Sequence, residues 1–339
     1  MKSRKLLLPM LSALSLAVSL SVSAAYPLTV HNCDRDETFQ AAPQRVVTIG
    51  QHETELLLAL GLEKKIAGTS VWFGPLPDGV RAAGKDLKRL ADNAPGFEAV
   101  VAQKPDLVLA QYSWHLGPQG EVASRERFEQ LGINTWLSPA DCIGKAVTAE
   151  SNGDGARSAP FSLDAIYQEI SQLAQIFDVE PRGLALTEQL AGRITRVQQQ
   201  LKASQVRPLK VLYWFSSTRL NGDPWVAGRD GAPGWISRTL GLQNVIASNQ
   251  EWPAVSWEQI ARLQPDVIVL ASMDRRLYPA DDITQKMAFL HSDPVTRELP
   301  AVKNNQLIVV PAMSLNPSLR NVDAVELIGQ QIARSAAQP

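Results

Sequence analysis

The chain has 339 residues, 45% hydrophobic and 20% charged, with a formal net charge of −1. That length exceeds one ordinary core and points to two domains, while the apolar and charged balance excludes a disordered or wholly membrane-embedded chain. The near-zero charge gives no electrostatic reason for a nucleic-acid or anionic-membrane partner. After the N-terminal segment, no apolar run approaches the roughly 20 residues that span a bilayer.

Residues 1–25 read as a secretory leader: basic "MKSRK", apolar "LLLPMLSALSLAVSLSV", and small residues that place cleavage after Ala24 or Ala25. An uncleaved anchor helix is the alternative. No cysteine stands at the junction, which argues against a lipid anchor and for a free exported protein. The mature chain keeps two cysteines, Cys33 and Cys142. An oxidising compartment allows them one pairing, set against two separate buried thiols. No Cys-x-x-Cys spacing supports a thiolate zinc site.

From 26 to 160 strands and helices alternate. "RVVTIG", "KIAGTS", "DLVLA" and "NTWLSP" are strands, with "ETELLLALGL", "FEAVVAQK" and "SRERFEQLG" as the helices between them. Such alternation implies βαβ units and a mostly parallel sheet. Residues 148–160, rich in Gly, Ser and Asn, read as a surface loop. The span 161–205 is helical: Leu163, Ile166, Ile170, Leu173 and Phe177 share one face, and a second helix starts at Pro181. From Pro181 to Ala203 it would extend roughly 34 Å, enough to join two lobes and limit their motion. From 206 to 339 the alternation resumes with "KVLYWF", "PGWISRTLGL", "DVIVLA", "NQLIVVP" and the closing helix "VDAVELIGQQIARS". The expected class is α/β, two Rossmann-like lobes with mostly parallel sheets joined by one long bridging helix.

Two segments echo each other. "FEAVVAQKPDLVLA" and "WEQIARLQPDVIVLA" both place an aromatic residue and a glutamate before a short helix, Pro-Asp and an apolar strand. Glu98 precedes Pro105 as Glu258 precedes Pro265, and "ALGLEKKIAG" lines up with "TLGLQNVIAS".

Ligands of α/β sheets sit beyond the carboxyl ends of the strands. That rule nominates Gln51, His52, Trp72, Tyr112 and Trp114 in the first lobe. In the second it nominates Trp214, Arg219, Trp225, Arg229, Trp252, Arg275, Arg276 and Arg320. The tryptophans suit a broad, flat or aromatic ligand. The arginines suit anionic oxygens, as of a metal chelate. Four histidines, none paired at ligand spacing, give no site for a bare metal ion. Neither a dinucleotide fingerprint, a nucleophile elbow nor a P-loop is present, so an exported enzyme on a related fold is a remote alternative.

"APQRVVTIGQHETELLLALGL", "EAVVAQKPDLVLA", the mid-chain helix and "VSWEQIARLQPDVIVLA" together resemble the periplasmic binding proteins that serve iron-siderophore, haem and vitamin B12 importers. The resemblance runs over roughly residues 40 to 335. It implies a monomer without a resident cofactor that delivers a small-molecule metal chelate to an inner-membrane ABC permease dimer. Glu98 and Glu258 match the glutamates that dock on permease arginines in that family, one per lobe. A ferric siderophore leads as cargo because of the arginines. Haem is an alternative, with Tyr112, His115 or His52 as axial ligand, and cobalamin is another.

Overall fold

The computed structural model describes residues 26–117, 120–148, 151, 153–204 and 207–337. The leader read at 1–25 lies outside the described residues. An antiparallel hairpin, β1 (Leu28–Asn32) and β2 (Arg35–Phe39), precedes a five-stranded sheet. That sheet holds β3 (Val46–Ile49), β4 (Ile66–Ser70), β5 (Arg89–Ala91), β6 (Leu107–Ala110) and β7 (Asn134–Leu137) in the order β5-β4-β3-β6-β7, all parallel. A two-stranded ribbon follows, β8 (Lys145–Ala146) with β9 (Ala156–Arg157). The second sheet holds β10 (Lys210–Ser216), β11 (Trp225–Val226), β12 (Gln243–Asn244), β13 (Val267–Ser272) and β14 (Leu307–Pro311). Its order is β11-β10-β13-β14, with β12 also on β10 and only β11 antiparallel.

Period-two alternation divides each sheet between two cores. In the first lobe Val46, Leu107 and Leu109 face a cluster with the Asp164–Ile176 helix, while Val47, Ile49, Val108 and Ala110 face the opposite way. In the second lobe Leu212, Trp214, Ile268 and Leu270 share one face, and Val211, Tyr213, Val269 and Ala271 the other. Ile166, Ile170 and Leu173 bury the Asp164–Ile176 helix against the first sheet, so it packs as part of the first lobe.

The sequence echo has a geometric basis. Helices Phe97–Val101 and Trp257–Leu263 lead into β6 and β13, each through a residue of positive φ before the proline, Lys104 (50°) and Gln264 (51°). The aspartate that follows ties down the start of the neighbouring strand. Asp106 accepts the backbone N–H groups of Gln44 and Arg45, and Asp266 accepts that of Lys210. Each Pro-Asp therefore sets the register of a central parallel pair.

The bridging helix, Glu180–Ala203, carries proline in its first turn, where a missing N–H costs nothing. Leu186 and Leu190 pack into the first lobe, and Val197 and Leu201 pack with Ile328 and Ile332 of the closing helix, Asn321–Ala337. Arg193 pins the two helices through Asp323 and Glu326, both at 2.6 Å. Their approach is close: a Cβ on Gly329 would come within 2.5 Å of Val197.

Two further connections join the lobes. The segment read as a surface loop is instead a strap. Arg157 in β9 is buried, ion-paired to Glu251, and its N–H donates to Asn249 O at 2.9 Å. Glu251 N–H donates to Gly155 O at 3.0 Å, and Ala156 forms an antiparallel bridge with Gln250. Composition suggested a loop because β9 is only two residues long and, beyond its local pairing with β8, its other edge pairs with a distant segment. Its root is stapled by the Cys33–Cys142 disulfide.

The second connection starts from the helix Gln51–Ala59. Arg320 reaches from the second lobe to a buried ion pair with Glu55, its Nε 2.8 Å from Oε2, and donates to Pro75 O at 2.7 Å. Leu319 N–H donates to His52 Nδ1 at 3.4 Å, so Nε2 carries the ring hydrogen and points at Glu169 Oε2, 3.0 Å away. Ser138 donates to the same oxygen at 2.8 Å. Glu53 lies fully buried beside them, its carboxyl held well above the usual range by burial and then by the Glu169 charge. His52, Glu53 and Glu169 cluster tightly enough to suggest a cation site. A metal on Nε2 would place the proton on Nδ1, where a backbone donor already points. Burial and the Glu169 charge favour the protonated form of Glu53 in this cluster.

Two expectations follow. Replacing both Cys33 and Cys142 by serine opens a closed loop of sequence separation 109 and should cost about 5 kcal/mol in the chain-entropy view. The urea midpoint should fall accordingly, and an unchanged midpoint would contradict this. Glu53 holds its proton in the folded state above the pH at which the unfolded chain releases it, so stability falls as pH rises past the usual carboxylate range. Glu53→Gln should therefore raise the melting temperature at neutral pH by about 2 °C or more, the gain shrinking as pH falls toward the ordinary glutamate value of about 4.3. A lowered melting temperature at neutral pH would refute this.

Candidate ligand cleft

Between the carboxyl ends of the two sheets lies a cleft of about 480 Å³, open to solvent and lined from both lobes. Its walls are aromatic. Tyr112 and Trp114, just after β6, stack at 4.2 Å with planes 6° apart. Phe215, near the end of β10, packs on Trp252 at 4.7 Å and meets Phe73 of the first lobe edge-on at 6.3 Å. Trp225 of β11 meets Tyr278 at 4.9 Å.

The polar groups are held individually. Arg275 lies 4.2 Å over the Phe73 ring, its Nε buried without a partner, and burial lowers its pKa. Among the described lining residues it is the one cation without a carboxylate at salt-bridge distance; the other, Lys145, pairs with Asp141. Burial pushes the His115 imidazole down to about 4, so it lines the cleft neutral, with Nδ1 unpartnered. Burial, and then Asp141, raises Tyr112 well above its usual value, which keeps the phenol protonated. Asp281 accepts from Ser216 at 2.6 Å and from the backbone N–H groups of Leu277 and Tyr278 at 2.7 and 3.0 Å, which positions that rim. Beneath the floor, buried Lys286 donates to Phe215 O and Ala271 O, clamping the ends of β10 and β13; burial lowers its pKa to about 7.

Of the residues nominated from sequence, Tyr112, Trp114, Trp225, Trp252 and Arg275 line the cleft, together with His115. The others do not. Gln51 is buried at the base of its helix, accepting from Phe73 N–H at 2.8 Å, while His52 and Arg320 belong to the lobe junction. Trp72 packs with Leu58 and Leu76 under the Arg89 guanidinium. Trp214 sits in the core against Trp257 because strand parity sends it to the face opposite Tyr213. Arg219 is exposed on the loop before β11, and Arg229 is exposed and paired with Asp230. Arg276 is exposed beside Asp282 and faces a separate pocket of about 290 Å³. Sequence reading missed Phe215, Asp281 and Lys286. It also missed Lys145 of β8, Asp154, which the strap carries into the cleft, and Glu251, which the strap binds. Phe215 was within reach, since it follows Tyr213 at the same parity; the strap residues gave no local signal.

A family model described as periplasmic binding protein matches residues 46–313. A vitamin B12-binding protein of Pectobacterium atrosepticum is 26% identical over 240 residues, 70% of this chain and 75% of the relative. An ABC-type Fe3+-hydroxamate transport protein structure from Saccharomonospora viridis superposes with a TM-score of 0.71 at 24% identity, covering 91% of this chain and 99% of the other. A periplasmic heme binding protein from Pseudomonas aeruginosa does so with a TM-score of 0.65 at 22% identity, covering 86% and 94%. With two α/β lobes, one long helix between them and a cleft at the carboxyl ends of both sheets, the chain belongs to the periplasmic binding protein family, the substrate-binding components of ABC importers in the iron-siderophore, haem and vitamin B12 class.

Proposed function

We propose that the protein binds a cobalamin-type corrinoid in the inter-lobe cleft and delivers it to an inner-membrane permease. The observation that carries this reading is the aromatic wall contributed by both lobes, with Arg275 as the one unpaired cation among its described residues. The arginine argument for an anionic ferric siderophore is weakened, since Arg219 and Arg229 are exposed, Arg276 lies beside Asp282, Arg320 belongs to the lobe junction, and none of the four lines the cleft. A broad, mostly uncharged macrocycle with amide arms suits flat aromatic faces and a few dispersed donors. The names of sequence relatives from Pectobacterium and Vibrio support the same cargo. Export through the leader at 1–25, as a monomer, is part of the proposal. No helix among the described residues is long and apolar enough to cross a membrane.

Glu98 and Glu258 serve as the docking carboxylates in this reading. Both are exposed in the first turn of the repeated helices, and neither forms an ion pair among the described residues. One free carboxylate per lobe matches a two-fold partner carrying arginines.

Titration calorimetry of the mature protein against cyanocobalamin, haemin and a ferric hydroxamate tests the cargo. Cyanocobalamin should bind most tightly, and Trp225→Ala should weaken it about tenfold or more, the equivalent of about 1.4 kcal/mol. Tighter binding of haemin would overturn the corrinoid reading. For docking, the Glu98→Ala/Glu258→Ala double variant should keep its ligand affinity within about threefold while uptake through the cognate permease falls sharply. Normal uptake would reduce the echo to a repeated fold element.

A further inference from the structure

The first-lobe wall of the cleft rests on a segment too short to hold itself. Trp114 and His115 lie on a single helical turn, Ser113–Leu116, and Tyr112 precedes it. One isolated turn is marginal in water, and a half-buried indole on it would be free to change rotamer. Yet the Tyr112 and Trp114 rings lie parallel, stacked at 4.2 Å. The backbone carbonyls of the turn are held from one side, Trp114 O by Glu121 N–H at 2.9 Å and His115 O by Val122 N–H at 3.3 Å. Its start is held by a buried carboxylate. Asp141 Oδ2 accepts the Ser113 N–H at 2.7 Å, and Oδ1 pairs with Lys145, whose Nζ lies 5.6 Å from the centre of the Trp114 ring. Asp141 is itself well anchored. Its N–H donates to Ser138 O at 2.9 Å, and the next residue, Cys142, is bonded to Cys33 in the turn between β1 and β2. It is not one of the residues lining the cleft.

We propose that Asp141 is the positioning residue of this wall, holding the Ser113 N–H and Lys145 at once so that the Tyr112–Trp114 pair stands rigid before the cargo arrives. The proposal rests on the reading that the cargo sits in this cleft. A charge-assisted bond to the Ser113 N–H fixes where the turn begins, and hence the direction in which Trp114 leaves the backbone. A cation within about 6 Å of an indole is attracted to the ring, so Lys145, tethered by the same carboxylate, favours one rotamer of Trp114. A carboxylate serving only the root of the strap would need Lys145 alone. The bond to Ser113 is what ties it to the wall. Side chains ordered in the free protein need not be ordered on binding, and that saving appears as affinity. Tyr and Trp gain most from it, because each brings a large rigid surface to a ligand.

Two measurements on the full mature chain test this. Near-ultraviolet circular dichroism without ligand reads the order of Trp114, and calorimetry with cyanocobalamin, haemin and ferrioxamine B reads binding. Asp141→Ala should remove most of the dichroism that Trp114→Ala removes, and should weaken the tightest-binding probe about tenfold. In a Trp114→Ala background the same change should leave the dichroism as it is and alter affinity by no more than about twofold, since residues that act through one another are not additive. Wild-type dichroism or wild-type affinity in Asp141→Ala overturns the proposal, as does a loss that is the same with and without Trp114. Should Asp141→Ala fail to fold, Ser113→Pro takes its place. Proline suits a first helical position, and the extended backbone of Tyr112 admits it, so the N–H that Asp141 holds is lost while the turn is kept. The same losses and the same dependence on Trp114 are expected of it, and their absence is equally decisive. Failure of all three probes to bind overturns the cleft as the cargo site, whereas the dichroism still decides whether Asp141 positions Trp114.

Discussion

The buried contact between Arg320 and Glu55 sets the geometry on which the cleft depends. A guanidinium from the second lobe is sunk into the helix that opens the first, where it also caps Pro75 O, so the loops after β3 and β4 are registered against the far lobe. Burial pushes the Glu55 carboxyl up and Arg320 opposes it. Such a pair adds little net stability over apolar packing, yet removing one partner leaves an uncompensated charge costing about 3 to 5 kcal/mol. Its contribution is to registration. Leu319 N–H on His52 and Gln111 on Pro317 O lie beside it, so one short loop of the second lobe is read by three side chains of the first.

The bridging helix and the strap complete the frame from other sides. The helix is held along its length by Arg193 and by the tight contact at Gly329, and the strap is held by backbone pairing and the Arg157–Glu251 pair. Three separate connections argue for a cleft whose width changes little. A rigid frame also carries the repeated helices, and hence Glu98 and Glu258, at a fixed separation. In the proposed docking, a two-fold partner would recognise such a spacing without ordering either lobe first.

Within that frame the cleft combines a preformed aromatic surface with polar groups already committed to the protein. Asp281 arranges the Leu277–Tyr278 rim, Lys286 clamps the strand ends below Phe215, and Asp141 restrains Lys145. Few groups must reorganise on binding, and the uncommitted ones, the Arg275 Nε and the His115 Nδ1, are donors or acceptors of short reach. The arrangement suits a rigid, flat ligand better than a flexible anionic one.

Much of this was legible in the linear order of residues. The alternation of β-branched runs with amphipathic helices specified two α/β lobes, Pro181 and the apolar period after it specified the bridging helix, and the double Pro-Asp echo located equivalent strands in each sheet. These are local properties, written within a few residues of where they act. The cleft was legible only in part. Nearness to a strand end nominated Trp214 as readily as Trp225, but only sheet pairing settles which side of the strand faces the opening. Five arginines looked alike in sequence, and tertiary contacts sent one into the lobe junction, left three on the exposed surface and put Arg275 alone in the cleft. A Gly- and Ser-rich stretch that read as loop became a strap because, beyond its local ribbon with β8, its remaining hydrogen-bonding partners lie some 90 residues away. The chain order by itself determined the elements and their succession; the tertiary structure decided which charges meet and which face the cleft, because burial and pairing depend on neighbours distant along the chain.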